Sequence, residues 1–297
     1  MNSLDVLKNI YKPYKYTKIG KSTIINTSSG DYVIKQTNNK TKELFSYLQS
    51  RGFSNFPKII DDTRKDVTVY KYVPDIVMPK EQRSLDMINL VSNLHNKTTY
   101  FKEISQDKFK EIYEDVLSNV NYYKEYYSQK YDIFFKEVYH SPSHYLFLVN
   151  YYKLDLMLDF CKQQLDSWYE LAKQENTQRV AVVHNNLSLD HFIKNDPDYL
   201  ISWDKSKIET PVIDLVKFYQ NNYLDVNFKK VFDKYLSNYP LSAMEKKLFF
   251  VLISIPPKIE FDMLEELKNT RDIRTKLDYV FKTEELIRPY YSSNKEE

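Results

Sequence analysis

Strand-like periodicity is concentrated in the first 75 residues of this 297-residue chain, and that division constrains the fold more than any other feature. Residues 14–37 read as three strands, YKYTKI, STIINT and DYVIKQT, with Ser28-Ser29-Gly30-Asp31 as the hairpin turn before the last. Residues 40–51 then place Leu44, Tyr47, Leu48 and Arg51 at helical spacing, and Gly52 is a natural stop. FPKIIDD and DVTVYKYV add two more strands before Pro74. Ser3 is positioned to cap a short first helix, Leu4–Tyr11. The expected product is a small antiparallel N-terminal lobe, residues 1–75, with one inserted helix and a hinge near Tyr70–Asp75.

Beyond the hinge the period becomes helical, so residues 76–297 form a larger lobe. Ser84 is a candidate cap for LDMINLVSNLHNKT, with Leu85, Ile88, Val91 and His95 on one stripe. Residues 105–135 form one or two long tyrosine-rich helices with Ile112, Val116, Val120 and Tyr123 inward. Ser141-Pro142 marks a boundary before a helix over Tyr145–Gln174. Helices are also expected over Val226–Leu236, Ser242–Ser254, Ile259–Asn269 and Arg271–Ile287, and the terminal SSNKEE is expected to fray. Only residues 179–219 interrupt this part with strand-like text. The fold class is therefore α+β, with two lobes sharing a cleft.

Composition removes several classes of function. A hydrophobic content of 42% supports real cores, and a net charge of +2 with mixed signs offers no basic field for nucleic acid. The three glycines, at positions 20, 30 and 52, cannot write a dinucleotide or P-loop phosphate cradle. The single Cys161 excludes an internal disulfide framework, and no apolar run is long enough to span a bilayer. With no signal-type apolar region at the N-terminus, a cytoplasmic location is expected.

The stretch 179–219 carries the chemistry. A β-branched run ends at Val183, and a polar loop opens with His184-Asn185-Asn186-Leu187-Ser188-Leu189-Asp190-His191. A short strand, Tyr199–Trp203, leads to Asp204, and Asp214-Leu215 heads an amphipathic helix. Together with Gly30–Lys35 on the third strand, the helix at Glu43–Leu48 and the Leu94-His95 helix end, this resembles the aminoglycoside-phosphotransferase and choline-kinase branch of the protein-kinase-like fold. Within that branch it is similar to the spore-coat-associated kinase-like proteins. The resemblance implies a bilobal fold, ATP bound between the lobes, and Lys35 on the nucleotide phosphates with Glu43 as its ion-pair partner. It places Asn186 at the base position, and His191 and Ser202 at the two magnesium-ligand positions. It implies structural roles for His184, packed in the loop, and for Asp214, as helix N-cap and loop anchor.

The family writes Asp, Asn and Asp where this chain has Asn186, His191 and Ser202. An amide takes no proton at neutral pH, so the base contribution, about 10²–10⁴-fold, is forfeited. Magnesium prefers hard charged oxygens, whereas a serine hydroxyl is neutral and imidazole suits zinc or copper. The matched positions supply no carboxylate, which points to a pseudokinase: a binding or scaffold protein for a small molecule or protein, with Mg²⁺ doubtful. Asp204, two residues past Ser202 and on the same side if strand alternation persists, and Asp190, beside His191, are the carboxylates that would stand in for the missing ligands in an active phosphotransferase. A third possibility, from resemblance alone, is a structural or assembly protein of a spore-coat layer. His95 is expected to meet the last carbonyls of its helix, Trp203 to be core, and Cys161 to be inert within an apolar helix.

Overall fold

In a computed structural model the structure describes residues 7, 10–262 and 264–292. Ser3, most of the predicted first helix and all but Ser292 of the terminal SSNKEE lie outside them. The chain forms strands β1 (Lys15–Ile19), β2 (Ser22–Thr27) and β3 (Gly30–Gln36), helix α1 (Asn39–Ser50), and strands β4 (Ile59–Asp61) and β5 (Val67–Lys71). These strands make one antiparallel sheet in the order β1-β2-β3-β5-β4. Side-chain alternation divides the sheet into two faces. Ile25, Ile34, Val67 and Val69 pack on Leu7 in a small outer core. Val33 and Tyr70 face the other way and join the main core, as do Phe45 and Leu48 of α1.

The main core continues into the helical lobe. Its elements are α2 (Lys80–Thr98), β6 (Tyr100–Glu103), α3 (Gln106–Phe135), α4 (Pro142–Ala172), β7 (Thr177–Val183), β8 (Phe192–Ile193), β9 (Tyr199–Leu200), β10 (Lys207–Glu209), α5 (Val212–Asn222), α6 (Phe228–Asn238), α7 (Ala243–Ile253) and α8 (Glu266–Ser292). Helix α4 is the centre, packing on α3, α7 and α8. Local chemistry sets several of these boundaries. The Ser141 hydroxyl accepts from the His144 N–H, and Pro142 fills the first helical position, where its missing N–H costs nothing. Ser242 and Glu245 form a reciprocal capping box at α7.

Four expectations are revised. Helix α2 begins at Lys80, and Ser84 lies buried inside it with its hydroxyl donating to the Glu81 carbonyl. Residues 179–219 are not the only strands of this lobe, because β6 pairs with one edge of β7 while β10 takes the other. The strand read over Tyr199–Trp203 stops at Leu200, with a 3₁₀ turn over Trp203–Lys205. The helix expected over Ile259–Asn269 starts only at Glu266. Before it, Pro256-Pro257 and the Tyr127 hydroxyl, which donates to the Pro257 carbonyl (3.3 Å) and accepts from the Ile259 N–H (3.1 Å), hold the chain out of helical conformation. Cys161 is buried in α4, and burial pushes its thiol up to about 12, which removes the reactive thiolate.

Candidate functional site

The site is built around one buried carboxylate. Asp214, in the first turn of α5, is fully buried and accepts the backbone N–H groups of His184 (2.8 Å) and Asn185 (2.6 Å). It also faces His95 Nε2 at 3.1 Å, while His95 Nδ1 lies 2.7 Å from the Tyr235 hydroxyl. A carboxylate has only acceptors, so His95 donates through Nε2 and Nδ1 receives the buried Tyr235 proton. Asp214 is thus the loop anchor the sequence suggested. It is not the N-cap, since Pro211 occupies that position and no side chain caps the helix. His95 faces this network rather than its own helix carbonyls.

That anchor shapes the loop. Asn185 is held at φ +55°, the left-handed region that asparagine tolerates better than most side chains, and its amide donates to the Lys205 carbonyl (3.1 Å). His184 is fully buried and donates through Nε2 to the Ile201 carbonyl at 2.7 Å. Its ring also packs edge-on against Trp203. Burial holds the His184 imidazole below its usual value of 6.5. The unfolded chain therefore binds a proton that the fold refuses, and acid favours unfolding. We expect stability to fall by up to about 1.4 kcal/mol per pH unit as pH drops below about 6.5 toward the folded-state value. Urea titrations across that window check this, and a His184→Asn variant should show a shallower slope. An unchanged slope in the variant would assign the pH dependence elsewhere.

Trp203 is 3% exposed and packs between residues of both lobes. That ring meets Phe45, Phe53 and Phe56 edge-on, and so ties the N-terminal lobe to the loop that carries Ser202. Ser202 is at φ +68°, and Asp204 stands exposed in the 3₁₀ turn that follows. Strand alternation therefore does not bring Asp204 to the side of Ser202. Asp204 instead lies within electrostatic reach of Tyr70 on β5, whose hydroxyl is raised to about 12, first by burial and then by that carboxylate. Lys35 pairs with Thr68 across β3 and β5, which puts it on the same sheet face as Val33 and Tyr70. Among the described residues its ammonium makes no ion pair.

The predicted Lys35–Glu43 pair is not formed. Thr41, Phe45 and Leu48 take the buried face of α1, which leaves Glu43 exposed. The neighbouring Lys42 pairs with Asp62 at 3.3 Å. Asp190 is exposed, and His191 donates through Nδ1 to the Asn186 carbonyl at 2.6 Å. The Asn186 side-chain oxygen lies 3.4 Å from the Lys205 ammonium. Lys205 was not singled out in the sequence, where nothing distinguishes it from other exposed lysines. The clamp around Asp75 was equally silent. Arg83 grips both oxygens of Asp75 (3.1 and 2.9 Å) and the carbonyls of Leu189 (3.1 Å) and Phe192, while the Ile76 N–H donates to Lys194 O (3.0 Å).

This donor set does not fit magnesium. Position 186 offers one amide oxygen already facing a lysine, position 191 an imidazole, and position 202 a neutral hydroxyl. Among the described residues no cluster of three or more His, Cys, Asp or Glu side chains is placed to hold a metal ion. No helix among them is long and apolar enough to cross a membrane.

No protein-family model matches the sequence, and no curated protein matches it significantly. Solved structures do match. The chain is similar to an aminoglycoside phosphotransferase from Alicyclobacillus acidocaldarius, with a TM-score of 0.68 at 9% identity over 93% of this chain and 92% of that one. It is also similar to the AMP-bound complex of a spectinomycin phosphotransferase, with a TM-score of 0.59 at 11% identity over 95% and 97% of the two chains. A spectinomycin phosphotransferase in complex with ADP and spectinomycin gives 0.50 at 12% identity over 95% and 93%. Sheet, inserted helix, hinge, anchored loop and helical lobe together are the bilobal protein-kinase-like fold of the aminoglycoside phosphotransferases.

Proposed function

We propose that this protein is a pseudokinase, a binding or scaffold protein with little or no phosphoryl transfer. The observation that carries the reading is the residue content of the loop: Asn186, His191 and Ser202 stand at the base and metal-ligand positions, with no carboxylate among them. Phosphoryl transfer depends on positioning and on metal ions that neutralise developing charge, so losing every ligand carboxylate removes most of the catalytic apparatus. The ligand class we favour is a nucleotide, held between Lys35 and the loop without a divalent cation. Two similar structures are complexes with AMP and with ADP. Lys35, which makes no ion pair among the described residues, supports an anionic occupant.

A second reading, an active phosphotransferase on a small hydroxylated substrate, is favoured by one feature. Asp204 is exposed, makes no ion pair among the described residues, and sits near Tyr70 at the cleft. The two readings separate in thermal-shift measurements with ATP, in Mg²⁺ and in EDTA. Equal stabilisation in both conditions, with no γ-phosphate transfer, is the expected result. Stabilisation that requires Mg²⁺, with turnover abolished by Asp204→Ala, would establish the enzyme instead.

A further inference from the structure

Helix α4 carries an apolar stripe that the described residues leave uncovered. Tyr145, Val149, Tyr152 and Leu156 are 60, 46, 55 and 61% exposed. Their spacing of four, three and four residues keeps them within about 60° of one another around the helix axis. The opposite side of α4 is fully used: Phe147, Leu154, Leu158 and Leu165 are buried in the main core, where the helix packs on α3, α7 and α8. Charge does not guard the stripe either. Lys153 on one flank lies 3.9 Å from the centre of the Phe281 ring on α8, and Asp155 on the other pairs with Lys124 of α3 at 3.3 Å.

Size and self-complementarity indicate the occupant. At a typical 150–250 Å² per tyrosine, the two rings leave roughly 200 Å² uncovered and the four side chains about 400 Å², enough to mark an interaction site. A second copy laid on the stripe removes that patch twice, roughly 800 Å², and the flanking half-buried Leu146, Leu148 and Lys153 bring the total to about 1,200 Å², the lower bound for a specific interface. Two copies of α4 packed antiparallel about a twofold axis between positions 150 and 151 set 145 against 156 and 149 against 152. Each of the four layers then holds one tyrosine and one aliphatic side chain, the large-against-small alternation that close packing needs. Lys153 stands beside Leu146 and Asp155 beside Leu148, so no like charges meet. A parallel pair would instead stack tyrosine on tyrosine and valine on valine, in layers alternately overfull and thin.

We propose that this face of α4 is a homodimer interface, formed by Tyr145, Val149, Tyr152 and Leu156 of two copies of this chain packed antiparallel. It shares no residue with the cleft site and does not depend on what the cleft binds. Sedimentation velocity of the full-length protein from about 1 to 300 μM should follow a monomer passing into a dimer with micromolar affinity, as suits an interface of this size. Val149→Lys and Tyr152→Glu each place a charge in two apolar layers and should weaken the dimer at least about tenfold. Both positions are exposed in a single copy, so at about 1 μM each variant should melt at the parent's temperature. An equimolar mixture of the two variants should associate at least about threefold more tightly than either alone, because the antiparallel register sets position 149 opposite position 152 and pairs the new charges. Greater recovery on mixing Val149→Lys with Val149→Glu would overturn that register. A dimer that Val149→Lys leaves intact would overturn the interface, and so would a parent that stays monomeric at the highest concentration. In that last case, co-sedimentation with phosphatidylcholine vesicles, lost in Val149→Lys, would assign the stripe to a lipid surface instead.

Discussion

Replacing Asp214 with alanine should destabilise this protein by about 3–5 kcal/mol, the scale for removing one partner from a buried charged network. Three donors lose their acceptor together: His95 Nε2 and the backbone N–H groups of His184 and Asn185. Each would remain in a site from which water is excluded. Such a loss is a large share of the stability of an ordinary domain, about 5–15 kcal/mol. Urea denaturation at low temperature is the appropriate measurement. His95→Phe should cost less, because it leaves both backbone bonds to Asp214 intact. In the double variant the two effects should depart from additivity by about 0.5–3 kcal/mol, since they dismantle one network. A cost for Asp214→Ala below about 1 kcal/mol would mean that the loop is held by its packing against Trp203 and not by this carboxylate.

The parts of this fold legible in the sequence are those encoded locally. The hairpins of β1–β3, helix α1 and the Ser141-Pro142 start of α4 each follow from a few neighbouring residues. The order and spacing of the loop motifs were legible for the same reason. Distant partners decided what was missed. Glu43 turns outward because Thr41, Phe45 and Leu48 claim the buried face of α1, and periodicity alone did not say which carboxylate would be left over. His95 meets Asp214, 119 positions further along the chain, so its helix-end location was a poor guide to its partner. The turn that displaces Asp204 depends on Ser202 adopting a left-handed conformation, which serine does not advertise. The two short strands that flank β7 have only three or four residues each, and pairing rather than pattern defines them.

On the proposed pseudokinase reading, restoring the two ligand residue types that the resemblance implies should make ATP binding depend on Mg²⁺. In a variant carrying His191→Asn and Ser202→Asp, Mg²⁺ should tighten ATP binding at least about tenfold, or about 1.4 kcal/mol. In the parent protein, Mg²⁺ and EDTA should give affinities within about twofold of one another. Aspartate is well suited to position 202, because the backbone there is already at φ +68°, where Asp is enriched over most residues. Asn186→Asp alone should not produce the effect. The Lys205 ammonium lies 3.4 Å from the position-186 side-chain oxygen and would pair with the new carboxylate, while both ligand positions remained empty of charge. Adding Asn186→Asp and Lys205→Ala to the double variant should then release the base, and slow phosphate transfer to water becomes the readout of the restored loop. Isothermal titration with ATP, in Mg²⁺ and in EDTA, compares the parent with each variant directly. A parent protein that already needs Mg²⁺ would show that Asp204 or another carboxylate supplies the metal site. A folded double variant indifferent to Mg²⁺ would show that missing charge is not what keeps the ion out, and the cause would then lie in the shape of the cleft.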